Sequence, residues 1–141
     1  LLNDAVNGQL PPFLNLGRIG VELGLQGAQF TATSAAAENQ SLAFPMSLHS
    51  IPSNKDNQDI VSMGANAAWM VLQALDNAFD IAAVLALAVS QAVEAAGASE
   101  RLSSRSRALI AQRREIAPVF RIDTPLSERL AAMSRMLKGE P

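Results

Sequence analysis

Cysteine and tyrosine are absent from this 141-residue sequence, and histidine occurs once, at His49. The missing cysteines exclude disulfides, thiolate metal sites and a cysteine nucleophile from the chain. A single histidine excludes clusters of imidazole ligands, so no metal site is expected. The first residues lack a basic segment followed by an apolar run, the pattern of a secretory leader, and Leu1 is not an initiator methionine. The sequence therefore reads as a fragment of a longer protein. The longest uncharged, strongly apolar stretch, Ile81 to Val93, has 13 residues. A bilayer-spanning helix needs about 20, so a soluble, cytoplasmic protein that does not engage a membrane is expected.

What the sequence does have is apolar character, at 49% of residues, enough for the core of one domain. The net charge of −2 hides an uneven distribution. Residues 1–99 carry two basic and eight acidic side chains, whereas residues 100–141 carry nine basic and five acidic. Two parts are expected to meet different surroundings: a central helical-bundle segment over 1–97 and basic C-terminal helices over 98–141.

Residues 1–7 read as the end of a helix, and Gly8 to Gly20, with Pro11, Pro12, Gly17 and Gly20, as a loop. From Val21 to about Ala43 proline is absent, and Val21, Leu25, Ala28, Ala32, Ala35 and Leu42 fall on one helical stripe of mostly small residues. Such a face lets a neighbouring helix come close. Phe44 to Asp56 contains Pro45, Pro52 and several Ser and Asn residues that compete for backbone hydrogen bonds, which predicts an ordered loop.

A long helix is expected over 57–96, with Ile60, Ala67, Val71, Ala74, Ala78, Ala82, Leu85, Val89 and Val93 at helical spacing and apolar residues between them. It asks for burial nearly all round. At 1.5 Å per residue such a helix is a rod of roughly 60 Å, while a compact domain of this length has a radius of gyration of about 14 Å. Other parts of a longer polypeptide, or other subunits, must therefore surround it, and an all-α bundle of long helices assembled from several chains is the economical architecture. Trp69 and Met63 are expected among its core contacts.

Beyond Gly97, Arg101, Arg105, Arg107, Arg113 and Arg114 decorate a helix expected from about Ser103 to Ile116, stopped by Pro118. They read as a solvated face; with only Phe120 nearby they are a poor nucleic-acid signature, and no nucleic-acid partner is expected. The last helix is predicted to start with Thr124 as N-cap and Pro125 at its first position, to bury Leu126, Leu130, Met133 and Leu137, and to end at Gly139.

Three stretches, in order, resemble the aromatic amino acid lyase family, which includes histidine, phenylalanine and tyrosine ammonia-lyases and related aminomutases. They are Gln9-Leu10-Pro11-Pro12-Phe13-Leu14, then Ala28-Gln29-Phe30-Thr31-Ala32-Thr33 through Glu38-Asn39 to Pro45 and Ser47, and finally Asn57-Gln58-Asp59-Ile60-Val61-Ser62-Met63-Gly64. The resemblance covers roughly Asn3 to Ala96. It implies a homotetramer of long, near-parallel helices, a small aromatic amino acid as substrate, and a methylidene-imidazolone (MIO) prosthetic group cyclised from an internal Ala-Ser-Gly. This chain has no Ala-Ser-Gly and none of the tyrosines that serve the family as bases, since Gly97-Ala98-Ser99-Glu100 and Thr33-Ser34-Ala35 do not match. The resemblance thus implies the C-terminal part of such an enzyme, inactive alone, with no catalytic residue of its own.

The same resemblance makes Asn57, Gln58 and Asn54, in the site loop 44–59, residues that orient the prosthetic group or the amino acid. Their amides donate and accept without bringing a charge. Histidine-acting members resemble this chain but carry glutamate where Gln58 stands. A carboxylate beside a neutral phenyl ring carries an uncompensated desolvation cost, so phenylalanine or tyrosine is the expected substrate. Plant-type phenylalanine lyases carry an acidic residue at the position of Asn54, which makes the bacterial tyrosine lyases and aminomutases the more similar group. Glu38 is read as a structural hydrogen-bonding partner and His49 as a loop residue. Within the family, an aromatic amino acid 2,3-aminomutase or a histidine ammonia-lyase is the alternative to a lyase that frees ammonia from tyrosine or phenylalanine; a competing reading of another class makes the long rod the core of a noncatalytic helical assembly.

Overall fold

The computed structural model describes residues 1–140. Among them lie four α-helices: α1 (Gln26–Leu42), α2 (Gly64–Ala95), α3 (Ser104–Ile116) and α4 (Ser127–Lys138), with short 3-10 turns at Pro12–Leu14, Met46–His49 and Ser99–Arg101. No strand is present among the described residues, and Ile19 with Glu22 and Ser53 with Gln58 form isolated bridges. The fold is all-α, as the periodicity requires.

α2 is the axis of the fold, and α1 and α4 pack most extensively against it. Its less exposed positions are Met63, Ala67, Met70, Ala74, Asn77, Ile81, Val84, Ala88 and Gln91, alternating by four and three. That is a seven-residue repeat, the pattern of helices packed at a shallow angle. The expected stripe differs: Val71, Ala78 and Leu85 face outward, and Asn77 and Gln91 take inward positions that an apolar count passes over. α1 meets the repeat with Ala28, Ala32, Ala35, Asn39 and Leu42, all at least half-buried. Its polar member matters, because Asn39 Nδ2 donates to Ala74 O at 3.1 Å while Asn39 Oδ1 accepts from Asn77 Nδ2 at 3.0 Å. Glu38 Oε2 accepts a second bond from Asn77 Nδ2 at 3.1 Å, a structural hydrogen bond, although the carboxylate is exposed and not buried.

Burial along α2 is lopsided. Its buried residues, Ala83, Val84, Ala86, Leu87, Ala88, Ser90, Gln91 and Ala92, all belong to the C-terminal half. In the N-terminal half Trp69 is 65% and Leu72 58% exposed, so Trp69 makes no core contact within this chain. At 1.5 Å per residue α2 is about 48 Å long; α1 runs along its N-terminal half with Asn39 at Ala74 and Asn77, but leaves the opposite flank uncovered. Length and hydropathy alone would let α2 cross a membrane. Packing of its C-terminal half inside the fold gives a core helix the same profile.

Three helix starts lie later than expected, among them that of α2 at Gly64 and not Asn57. α1 begins at Gln26 and not near Val21 because Gly24 has φ +61, left-handed, and the Asp123 carboxylate accepts from Leu23 N at 2.8 Å and Gly24 N at 3.1 Å. A Cβ on Gly24 would sit 2.8 Å from Phe13 O, so the turn is closed to other residues. α4 begins at Ser127, with Leu126 and not Thr124 at the cap. The Thr124 hydroxyl instead accepts from Arg129 Nη1 at 3.3 Å. Residues 1–7 form no helix, with a turn over 4–6. The other boundaries match: Ser103 caps α3 by accepting from Ser106 N, and Gly139 ends α4 with φ +75.

α3 is not only a solvated arginine face. Arg114 Nη2 donates to Ser90 O at 2.6 Å and Arg114 Nη1 to Gln91 Oε1 at 3.1 Å. Burial holds the Arg114 guanidinium below its ordinary pKa, with Glu94 pulling the other way.

Candidate functional site

Asn54, Asn57 and Gln58 lie together at the tip of a tight loop between the Met46–His49 turn and α2, and not on a helix. The expected helical start at Asn57 is replaced by a reversal of the chain. Ser53 N donates to Gln58 O at 3.0 Å, Gln58 N donates back to Ser53 O at 3.3 Å, and Asn57 N donates to Asn54 O at 3.2 Å. Inside this closure Asn54, Lys55 and Asp56 have φ of 54, 55 and 62, three consecutive left-handed residues, none of them glycine. Asn and Asp tolerate that region better than other side chains, which fits two of the three positions.

The segment that joins the loop to α2 has its backbone donors taken by side chains. Val61 N donates to Ser50 Oγ at 2.7 Å, Ile60 N to Asp59 Oδ1 at 2.9 Å, and Gly64 N to Ser62 Oγ at 3.3 Å. Local bonds of this kind compete with helix, which is why α2 starts at Gly64. A hollow of about 380 Å³ opens at the base of the loop, lined by Met46, Ser50, Ile60, Val61 and Met63 among others.

Asn54, Asn57 and Gln58 are exposed on this chain, as are Leu48, Ile51 and Ile60 nearby. A cluster of amide side chains ringed by exposed apolar ones suits a surface completed by other protein. The three amides bring donors and acceptors to one tip and no charge of their own, while Lys55, Asp56 and Asp59 supply the charge around them. His49 stays outside this group, exposed, with its ring 5.2 Å from that of Phe44. Among the described residues no set of three His, Asp or Glu side chains stands close enough to hold a metal ion.

A larger cleft of about 510 Å³ lies elsewhere, between α1, α2 and α4, lined by Gly24, Thr31, Asp80, Asp123 and Leu130 among others. It shares no residue with the loop. Sequence reasoning passed over Ser50 and Ser53, whose hydroxyls tie the loop together. The available signal was a pair of serines three apart around Pro52, a common loop pattern with no periodicity to mark it.

The family model for aromatic amino acid lyases matches residues 1–115. A tyrosine ammonia-lyase of Cupriavidus metallidurans is 43% identical over 98% of this chain, which spans 26% of that protein. A histidine ammonia-lyase of Shouchella clausii is 34% identical over 99% of the chain, spanning 27% of that protein. The crystal structure of tyrosine aminomutase from Streptomyces globisporus superposes with a TM-score of 0.94 at 36% identity, over 98% of this chain and 26% of that one. The chain thus spans about a quarter of the length of the relatives it matches.

Proposed function

This chain belongs to the aromatic amino acid lyase family, and from that membership we propose that the complete protein eliminates ammonia from tyrosine or phenylalanine to give an arylacrylate. The observation that carries the reading is the 43% identity to a tyrosine ammonia-lyase, which runs through 98% of the chain. In the reaction a proton leaves the carbon beside the ring, the carbon–nitrogen bond breaks, and a double bond forms between the two carbons. The proton is weakly acidic and the amine a poor leaving group, so the reaction needs an electrophile this chain does not contain.

The residues present fit a methylidene-imidazolone at the loop: Asn54, Asn57 and Gln58 offer neutral amides, suited to orienting an uncharged carbonyl-bearing ring. When bound, that group supplies the electrophile that turns the amine into a leaving group. The work assigned to this chain is positioning. Gln58, Asn57 and Asn54 hold the prosthetic carbonyl or the amino acid in register. The Ala-Ser-Gly precursor and a tyrosine base come from polypeptide outside this chain, which alone is inactive. The assembly is a homo-oligomer, a tetramer by family resemblance, and the exposed apolar flank of α2 supports burial against another surface.

A 2,3-aminomutase is the second reading, favoured by the superposition with a tyrosine aminomutase. It differs in returning the ammonia to the neighbouring carbon. Chromatography of the products from the complete enzyme separates the two: an arylacrylate with ammonium supports the lyase, a β-amino acid supports the mutase, and neither product removes both.

A further inference from the structure

The loop that carries the amides contains one contact that a simple reversal does not need. Ser53 and Gln58 exchange both backbone hydrogen bonds, at 3.0 and 3.3 Å, which makes them a hydrogen-bonded antiparallel pair with side chains on the same side of the ribbon. Across that pair Ser53 Oγ donates to Gln58 Oε1 at 3.2 Å. The backbone would close the loop with alanine at position 53, so the hydroxyl acts on the glutamine side chain.

A primary amide has two unlike ends, and an unrestrained one can present either. Here the Ser53 hydroxyl donates to Oε1, which selects one of the two orientations. It fixes the carbonyl toward Ser53 and leaves the NH₂ group facing away. We propose that Ser53 is a positioning residue that sets Gln58 as a hydrogen-bond donor, so that the group recognised beyond it is an acceptor oxygen of the substrate or of the prosthetic ring. The proposal rests on the role of Gln58 given above. Three consecutive left-handed residues, Asn54, Lys55 and Asp56, hold the two ends of the loop in this register.

The consequence is energetic coupling between two side chains of which only Gln58 touches the ligand. The test uses the complete enzyme with Ser53→Ala, Ser53→Thr, Gln58→Ala and the double variant Ser53→Ala/Gln58→Ala, measuring kcat and KM beside thermal midpoint. Loss of one hydrogen bond of this kind predicts that Ser53→Ala lowers kcat/KM about fivefold, with Ser53→Thr restoring it to within about twofold. The midpoint stays within experimental error. The double variant should be no slower than Gln58→Ala, because without the amide the hydroxyl has nothing to orient.

If Gln58→Ala is impaired while Ser53→Ala matches the wild type, the positioning role is overturned and the role of Gln58 stands. If Gln58→Ala keeps full activity, the role of Gln58 fails and the positioning role with it. Multiplicative losses in the double variant, or a Ser53→Ala loss that Thr does not rescue, also overturn the proposal.

Discussion

Gln91 Oε1 accepts from Arg114 Nη1 at 3.1 Å, although the glutamine is fully buried on α2 and the arginine comes from α3. Gln91 Nε2 donates at the same time to Phe120 O at 2.8 Å, so one amide ties the core helix to two later segments. Replacing it with leucine keeps the volume and removes both bonds. The Phe120 carbonyl and the half-buried guanidinium are then left short of partners. Gln91→Leu should destabilise the fold by about 2–3 kcal/mol in urea unfolding. Adding Arg114→Met should recover part of that loss, and strict additivity of the two would mean the residues are not coupled.

The periodicity that exposed α2 could not expose this pair. Gln91 is polar at an inward position and Arg114 is one arginine among five, so each looks like a surface residue until α3 is laid along α2. Ser103 and Gly139 were legible because a cap acts within its own turn. The start of α1 was not, since it depends on Asp123, about a hundred positions away, accepting from Leu23 and Gly24. The site loop is intermediate. The resemblance points to its residues, but its shape leaves no mark on composition, because three consecutive left-handed residues occur there without glycine.

Lys138 Nζ lies 2.7 Å from Asp76 Oδ1 and 5.9 Å from the Phe79 ring centre, fastening the end of α4 to α2. The hydrogen bond to Asp76 raises the lysine above its ordinary pKa of 10.5. A raised folded value means that the contribution to stability is fully present below the ordinary value and is lost as pH rises through the raised one. Stability attributable to this pair should therefore be flat through neutral pH and fall only under strongly alkaline conditions. Comparing thermal midpoints of wild type and Lys138→Met across that range checks it; a difference that disappears near neutral pH would contradict the sign.

Trp69, Val71, Leu72 and Leu75 make an exposed apolar flank on α2 that nothing in this chain covers. Water is a poor neighbour for such a surface. The 141-residue chain alone should therefore sediment as a self-associated species, and aspartate at both Leu72 and Leu75 should shift it toward monomer. A well-behaved monomer of the unsubstituted chain at high concentration would show that the flank needs no cover.

The central claim is that the complete protein is an aromatic amino acid lyase in which neutral Gln58 favours a phenyl or phenol ring over an imidazole. The direct measurement is ultraviolet absorbance of the complete enzyme incubated separately with tyrosine, phenylalanine and histidine, and repeated with Gln58→Glu. The account predicts a growing conjugated-acid band with tyrosine or phenylalanine and none with histidine, and a loss of about tenfold or more in the glutamate variant, the cost of burying an unpaired carboxylate beside the ring. A band with histidine alone, or a glutamate variant as fast as wild type on tyrosine and phenylalanine, would contradict it.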